Sequence, residues 1–141
     1  MTKLSDSVEW EYPKEEFIKL TKKYNFHPRL DVSATKKNSK CKTYIDKKLN
    51  ALTESWYKKN WTNPPSNKYK EFCKKACDEF LDFGNQTMMI IPSGSICTRY
   101  SEKYILPYAE FYPIFDKIEF LHFGKIIDRS RNNYFVVIWR N

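Results

Sequence analysis

Hydrophobic residues recur in two long segments of this chain at three- and four-residue steps, the spacing of an amphipathic helix. In the segment PKEEFIKLTKKY, Phe17, Leu20 and Tyr24 follow this spacing, and Pro13 is suited to the first position of a helix. A second helix is predicted over NKYKEFCKKACDEFLDF, with a cap at Ser66 or Asn67 and a stop at Gly84. The apolar face of this second helix comprises Tyr69, Phe72, Cys73, Ala76, Cys77 and Phe80.

Short apolar runs bounded by turn residues predict the strands. RLDVSA is expected to form a short strand ending at Asp31, KNWT another, and QTMMIIP a buried parallel strand. KIEFLHF and YFVVIWR are expected to pair as the last two strands, joined by the hairpin-like connection GKIIDRSRNN. The other segments are expected to be a polar loop (KKNSKCK), a weakly helical or irregular stretch (IDKKLNALTESWY), and a short helix followed by an aromatic, proline-broken loop (93–116).

Alternation of helices with buried strands predicts a three-layer α/β fold. The sheet is expected to be mostly parallel, with an antiparallel pair at the C-terminal end of the chain. A length of 141 residues favours one domain, which we place at 9–141 after an N-terminal tail at 1–8.

The composition supports a folded chain, since 41% of the residues are hydrophobic and 17% are aromatic. No apolar run approaches the roughly 20 residues of a membrane helix, and no secretory signal is evident. We therefore expect a soluble, cytoplasmic protein without a membrane partner.

The net charge of +8 is concentrated between Thr35 and Lys75, where twelve lysines face three acidic residues. Such a segment is either a solvated lysine-rich surface or a surface that neutralises phosphates, and charge alone does not separate the two. The candidate phosphate-binding residues are Lys36, Lys37, Lys40, Lys42, Lys58, Lys59, Lys68 and Arg99.

The cysteines and histidines do not form a metal-binding pattern. Cys73 and Cys77 lie four residues apart on a predicted helix, but there is no C-x2-C pair and no neighbouring histidine. His27 and His122 are isolated in the sequence. We predict no metal, and we interpret the four cysteines as reduced, small core residues.

The turn Asn63-Pro64-Pro65-Ser66 is the strongest chemical candidate. Two consecutive prolines stiffen the backbone and remove N–H donors. The Asn63 carboxamide oxygen and an adjacent backbone carbonyl then form a fixed pair of acceptors for one NH2 group. Because Asn63 and Asp31 each follow or end a predicted strand, both are expected to face one crevice at the carboxyl ends of the strands.

Several segments together resemble the phage-type, Dam-like DNA N6-adenine methyltransferases. EWEYPKEEFIKL, NFHPRLDVSAT, NALTESW and WTNPPS match the opening, cofactor, Trp-containing and catalytic segments of that family in order. MMIIPSGSICTRY, FLHFGK and SRNNYFVVIWR resemble its later strands, so that the resemblance covers residues 9 to 140.

The resemblance implies a compact, Rossmann-like methyltransferase fold without a separate target-recognition domain. It implies S-adenosylmethionine as cofactor, with Asp31, Ser33 and Ala34 in its site and Tyr12 and Pro13 at its methionine end. Asn50 stands where the family has an acidic residue close to the adenosine. Asn63, Pro64, Pro65 and Ser66 correspond to the catalytic turn, and Ser66 replaces an aromatic residue that stacks on the flipped adenine.

Two hypotheses about function follow. The first is methyl transfer to the N6 amine of adenine in double- or single-stranded DNA, with RNA adenine or protein glutamine as other amine acceptors. The second, motivated by Ser66, is a catalytically degenerate member of the family that binds nucleic acid or protein. A homodimer is left open. Tyr69 or Tyr100 is a candidate for the aromatic ring that position 66 lacks.

Overall fold

The computed structural model describes residues 11–46, 48–115, 118–122, 125–129 and 133–141, so the expected tail at 1–8 lies outside the described residues. The described residues contain three α-helices, which are α1 (Lys14–Lys23), α2 (Tyr69–Phe83) and α3 (Arg99–Tyr104), the last preceded by a 3-10 turn at Ser93–Cys97. The strands are β1 (Leu30–Ala34), β2 (Thr43–Asp46), β3 (Lys59–Thr62), β4 (Gln86–Pro92), β5 (Glu110–Ile114), β6 (Glu119–His122), β7 (Lys125–Arg129) and β8 (Tyr134–Trp139).

Six of these strands form one mixed sheet in the order β2-β1-β3-β4-β8-β5. β2, β1, β3 and β4 are parallel neighbours, whereas β8 runs antiparallel to both β4 and β5. The predicted mostly parallel sheet with an antiparallel C-terminal strand is therefore confirmed.

The predicted partner of that last strand was wrong. β6 pairs with β7 in a separate two-stranded sheet, and β8 inserts between β4 and β5. The reason is burial on both faces: Val136, Val137 and Ile138 are fully buried in consecutive positions, which only an interior strand allows. β6 carries Glu119 and is suited to a strand with a solvated side.

Three strands were missed, two of them at the edges of the large sheet. β2 begins directly after the predicted polar loop and runs into the stretch predicted as irregular, and β5 lies in the segment predicted as a proline-broken loop. The third, β7, lies in the segment that was predicted as a hairpin-like connection. An edge strand tolerates proline, since one of its sides has no ladder to donate to. Burial along β5 alternates between partly buried and exposed residues, as expected at an edge.

Hydrophobic clusters cover both faces of the large sheet and make the three layers. On one face Met89, Ile91 and Val137 pack under α2 and Ile105. On the other face Trp61, Met88 and Ile90 pack against α1 and β6, in the cluster that also includes Phe17, Leu20, Phe26, Ile118, Phe120, Tyr134, Val136 and Ile138. Alternate residues of β4 thus serve opposite layers.

The second helix begins later than predicted. Its N-cap is Lys68, because Ser66 and Asn67 are used by a turn in which the Lys68 N–H donates to the Pro65 carbonyl at 2.9 Å. Its end at Gly84 is confirmed, since Gly84 has φ of 71° and forms a left-handed cap.

The cysteines are all free, but only two of them are core residues. Cys73 and Cys77 are buried, Cys41 is partly buried and Cys97 is exposed, so the core interpretation was wrong for Cys97. Across the described ranges no group of three or more His, Cys, Asp or Glu residues is arranged to hold a metal ion. Nor is any helix there long and apolar enough to cross a bilayer.

An ion pair fixes the edge strand β5 to the end of the chain. Arg140 donates to both carboxylate oxygens of Glu110, at 2.9 and 3.0 Å, and also to the Tyr24 carbonyl. These hydrogen bonds from Arg140 hold the pKa of Glu110 below the ordinary value of 4.5. A depressed folded pKa means that the stabilisation is present above the unfolded pKa and is lost as the pH falls through the folded pKa.

We expect Glu110→Gln to be less stable than wild type near neutral pH and to lose this difference on acidification below pH ~4.5. Urea denaturation at several pH values measures this convergence. Glu102→Gln is the control, because the pair of Glu102 with Arg99 is highly exposed. A Glu110→Gln curve parallel to wild type down to pH ~3 would contradict the assignment.

Candidate active site

The site lies where the order of the parallel strands reverses. From β1 the chain passes to β2 on one side and then to β3 on the other, so a crevice opens beyond the carboxyl ends of β1 and β3. Ligands of open α/β sheets bind at such a point because the two connections diverge from it.

A small cavity of about 20 Å³ occupies this position. That volume is sufficient for about one water molecule. Five of the predicted site residues meet there, which are Tyr12, Asp31, Ser33, Lys40 and Asn63. Sequence reasoning missed the remaining lining residues, Glu11, Asn38 and Trp61.

Asp31 lies inside a strand and not at its end, which corrects the predicted boundary. β1 continues to Ala34, and its register with β2 shifts between Asp31 and Ala34. The carboxylate is 3% exposed and accepts the backbone N–H groups of Ser33 at 3.3 Å and Lys40 at 2.9 Å. Asp31 therefore anchors the loop after β1 while lining the cavity.

The same carboxylate influences the thiol beside it. Burial, followed by the negative charge of Asp31, raises the pKa of Cys41 to about 12. The Cys41 Sγ–H is oriented toward the Pro28 carbonyl at 3.6 Å. Cys41 is consequently a neutral structural thiol at physiological pH and not a nucleophile.

Aromatic side chains form the apolar wall of the cavity. The rings of Tyr12 and Trp61 lie 5.4 Å apart between centroids, and Phe17 meets Trp61 edge-on at 4.7 Å. Burial raises the pKa of the Tyr12 phenol, with a further contribution from Glu16. Pro13 is buried next to Tyr12 as the N-cap of α1, so both residues predicted for the methionine end are held by the start of this helix.

The Asn-Pro-Pro-Ser turn begins directly after β3, as predicted. Asn63 is partly buried and lines the cavity, while Pro64 is buried beneath it. Pro65 is partly buried and Ser66 is exposed. The turn is thus anchored by the buried Pro64, and Asn63 lines the same cavity as Asp31.

Three tyrosines gather near this edge of the sheet. Tyr69 is the first residue of α2, Tyr134 the first of β8, and Tyr100 lies in α3. The pKa of Tyr69 is raised by burial and then by the proximity of Tyr134 and Tyr100. Tyr69 and Tyr100 were candidates in the sequence; Tyr134 was hidden because it resembles an ordinary core residue at the start of a strand.

Six of the residues predicted to bind the cofactor or form the catalytic turn do not line the cavity, which are Pro13, Ala34, Asn50, Pro64, Pro65 and Ser66. Asn50 is exposed, and its side-chain oxygen accepts the Leu52 N–H at 3.0 Å within a local turn. Ala34 is buried at the end of β1, in contact with the core. Neither residue is among those that line the cavity.

The predicted phosphate-binding residues do not form one continuous surface. Some lie at the carboxyl ends of the parallel strands and others at the amino ends. Lys36 and Lys37 follow β1, Lys68 precedes α2 and Arg99 begins α3, and all four are exposed on the side of Asn63. The amino ends of the strands carry the others: Lys42 and Lys58 precede β2 and β3, and Lys59 begins β3.

Lys40 differs from the other candidate phosphate-binding residues. It is partly buried, and its Nζ donates to the Asn38 carbonyl at 3.0 Å. Burial lowers the pKa of its ammonium group, against the opposing charges of Asp31 and Glu11. Its position favours a role in the cavity over contact with a phosphate backbone.

The chain is similar to known proteins over nearly its whole length. The sequence model of the family described as DNA N-6-adenine-methyltransferase (Dam) matches residues 1–140. The chain belongs to the Dam family. The resemblance of the quoted segments is therefore confirmed as a family relationship.

A curated relative is the DNA N-6-adenine-methyltransferase of Escherichia phage T1, which is 29% identical over 95 residues. The match covers 66% of this Dam-family chain and 39% of the relative. The chain thus spans about two fifths of the length of that phage protein.

Proposed function

We propose that this chain transfers a methyl group from S-adenosylmethionine to the N6 amine of adenine in DNA, within a Rossmann-like methyltransferase fold. The observation that carries the proposal is the meeting of Asn63 and Asp31 in one cavity at the strand-order reversal. Membership of the Dam family supports the same chemistry.

The chemistry of the lining residues fits a bound S-adenosylmethionine. A buried carboxylate at Asp31 and the hydroxyl of Ser33 are suited to hydroxyl and ammonium groups. The cavity of about 20 Å³ is far smaller than a nucleoside, so the loop after β1, which carries Asn38 and Lys40, has to move outward. These two residues lie outside the regular strands, whereas Tyr12 and Trp61 are fixed in the core.

The Asn63 turn positions the acceptor amine. The carboxamide oxygen and the neighbouring backbone carbonyl accept the two N–H groups, which leaves the nitrogen lone pair directed at the methyl donor. Positive charge that develops on this nitrogen is stabilised by the two oxygens. When bound, S-adenosylmethionine supplies an electrophilic methyl group on a sulfonium.

The exposed cations around Asn63 are placed to bind the phosphates of the DNA. Four exposed cations lie around the carboxyl ends of the parallel strands, namely Lys36, Lys37, Lys68 and Arg99. The target adenine leaves its stack to reach the turn, or is met in a single strand. Binding through these residues weakens steeply with salt because it releases counterions.

The tyrosine cluster supplies the ring that Ser66 lacks. We expect Tyr69→Leu or Tyr100→Leu to lower kcat/KM roughly 5- to 150-fold, because stacking of a base on an aromatic ring contributes ~1–3 kcal/mol. Restoring a ring at the turn, as Ser66→Tyr, is expected to recover activity in the impaired variant. Tyr108→Ala is the control, since Tyr108 is an exposed tyrosine after α3.

Steady-state methyl transfer at varied DNA concentration measures these effects. Full wild-type kcat/KM in both leucine variants would exclude the tyrosine cluster as the stacking surface.

The proposed activity is tested with methyl-labelled S-adenosylmethionine and three acceptors: DNA, RNA and a glutamine-containing peptide. We expect label in DNA, recovered as N6-methyladenine after digestion to nucleosides. Label in RNA or peptide alone would refute DNA as the substrate. Absence of both transfer and S-adenosylmethionine binding by calorimetry would instead favour a degenerate binding module, the function that the exposed Ser66 suggests.

A further inference from the structure

A second, larger cleft lies at the amino ends of the strands. Its volume is about 730 Å³, and it is formed by residues that immediately precede or begin β1, β3 and β4. β3 separates this cleft from Asn63 by four residues, which corresponds to about 13 Å of strand. The lining residues are His27, Arg29, Trp56, Tyr57, Lys58, Lys59 and Asn85.

The residues that line this cleft carry a net positive charge. Arg29 and Lys58 are exposed, and neither they nor Lys59 forms a salt bridge with any described residue. The Lys59 ammonium lies 5.9 Å from the centroid of the Phe26 ring. None of the described residues that line the cleft is acidic. Three cations in one concave surface attract an anionic ligand.

The backbone of Tyr57, an exposed aromatic residue beside these cations, is held in a fixed position by Asn60. Tyr57 is 47% exposed, yet its backbone N–H donates to the Asn60 Oδ1 at 2.8 Å and its carbonyl accepts from the Asn60 Nδ2 at 2.8 Å. Asn60 is fully buried and also donates to the Gln86 carbonyl at 2.9 Å, which ties this loop to β4.

The neighbouring Trp56 is fixed in the same manner. Its indole N–H donates to the Ala51 carbonyl at 2.9 Å, and its ring is buried. The backbone from which the Tyr57 ring projects is therefore fixed, and 47% of the residue's surface is exposed to a flat group. A fixed backbone reduces the conformational entropy that is lost on binding.

We propose that this cleft is a second nucleic-acid site, which binds single-stranded DNA independently of methyl transfer. Arg29 and Lys58 bind successive phosphates, and the Tyr57 ring stacks on an unpaired base. A cationic groove combined with a stacking ring is the general arrangement for single strands, because every base has a π face. A paired base in a duplex does not offer that face to Tyr57, so the cleft discriminates against duplex DNA.

Fluorescence anisotropy with a labelled twelve-nucleotide oligo-dT strand and the matching duplex tests this site. Tyr57→Ala is expected to weaken binding of the single strand roughly 10-fold and to leave duplex binding unchanged. Arg29→Ala and Lys58→Ala are each expected to reduce the slope of log affinity against log salt by about one. Tyr108→Ala and Lys22→Ala are the matched controls, because both residues are exposed and lie away from the cleft.

The oligo-dT strand contains no adenine and the assay needs no methyl donor, so failure of the methyl-transfer proposal leaves this test intact. Wild-type affinity in Tyr57→Ala, Arg29→Ala and Lys58→Ala, or no binding of the oligonucleotide to the wild-type chain, would overturn the proposal. Tighter binding of a labelled polyglutamate that is insensitive to Tyr57→Ala would assign the cleft to an acidic peptide instead. Thermal melts monitored by circular dichroism verify that each variant is folded.

Discussion

Replacing Asn63 by alanine is expected to lower methyl transfer to DNA by about 10²–10³-fold, the loss typical of removing one preorganised polar group from a reacting centre. The substitution removes the carboxamide oxygen and leaves a single backbone carbonyl to hold the amine. The cost in folding is expected to be small, since Asn63 is only partly buried and lies just beyond the end of β3. Single-turnover transfer of labelled methyl groups measures the effect on the chemical step.

Asn67→Ala is the matched control for this prediction. Asn67 has the same side chain, lies four residues further along the same turn region and is exposed. It is expected to retain nearly full activity. Equal transfer rates for wild type and Asn63→Ala would remove the catalytic role of the turn.

The second large effect is expected from Asp31→Asn, which should weaken S-adenosylmethionine binding roughly 10- to 100-fold. A hydrogen bond to a charged group contributes ~1.5–3 kcal/mol, and the amide retains only one of the two acceptor oxygens. The loss includes the anchoring of the loop, because the Asp31 carboxylate accepts the N–H groups of both Ser33 and Lys40. Calorimetric titration with S-adenosylmethionine measures it directly.

Asp46→Asn is the control, since Asp46 lies in the neighbouring strand β2 and its carboxylate accepts the Lys48 N–H in a local turn. Thermal melts without ligand separate a general loss of stability from a loss of the site. An unchanged dissociation constant in Asp31→Asn would show that the cofactor does not contact this carboxylate.

The part of the site that could be predicted from the sequence is the part set by where residues fall relative to the ends of their strands. Asn63 follows a short strand and cannot be displaced from its end, because Pro64 and Pro65 stop the pairing. Asp31 was placed at the correct edge although its strand continues to Ala34. Both residues reach one cavity because parallel strands bring their carboxyl ends together.

Contacts between distant segments were beyond sequence reasoning. The insertion of β8 between β4 and β5 depends on which strand must be buried on both faces, and the hairpin prediction favoured the nearest neighbour in the chain. The separation of the basic residues between the two ends of the strands likewise depends on how distant segments are arranged. Lys42 is close in sequence to Lys36, but Lys42 and Lys58 each immediately precede a strand that runs parallel to β1, whereas Lys36 follows β1.

Asn60 shows a further limit of pattern recognition. In the strand KNWT it is a polar residue at a fully buried position, where an apolar residue is the usual expectation. Its amide satisfies three backbone groups on two segments, so its role is visible only when the loop at Tyr57 and the start of β4 are both in place.

The position of β8 also constrains how this protein is made in the cell. β8 is synthesised after both β4 and β5, between which it lies, so a nascent chain leaves one flank of β4 unpaired until residues 134–139 leave the ribosome. Until then that flank is open to pairing with other chains. A premature stop codon before Tyr134 would therefore yield an aggregation-prone fragment. A synthetic peptide with the sequence of residues 134–139 could bind to that fragment between β4 and β5.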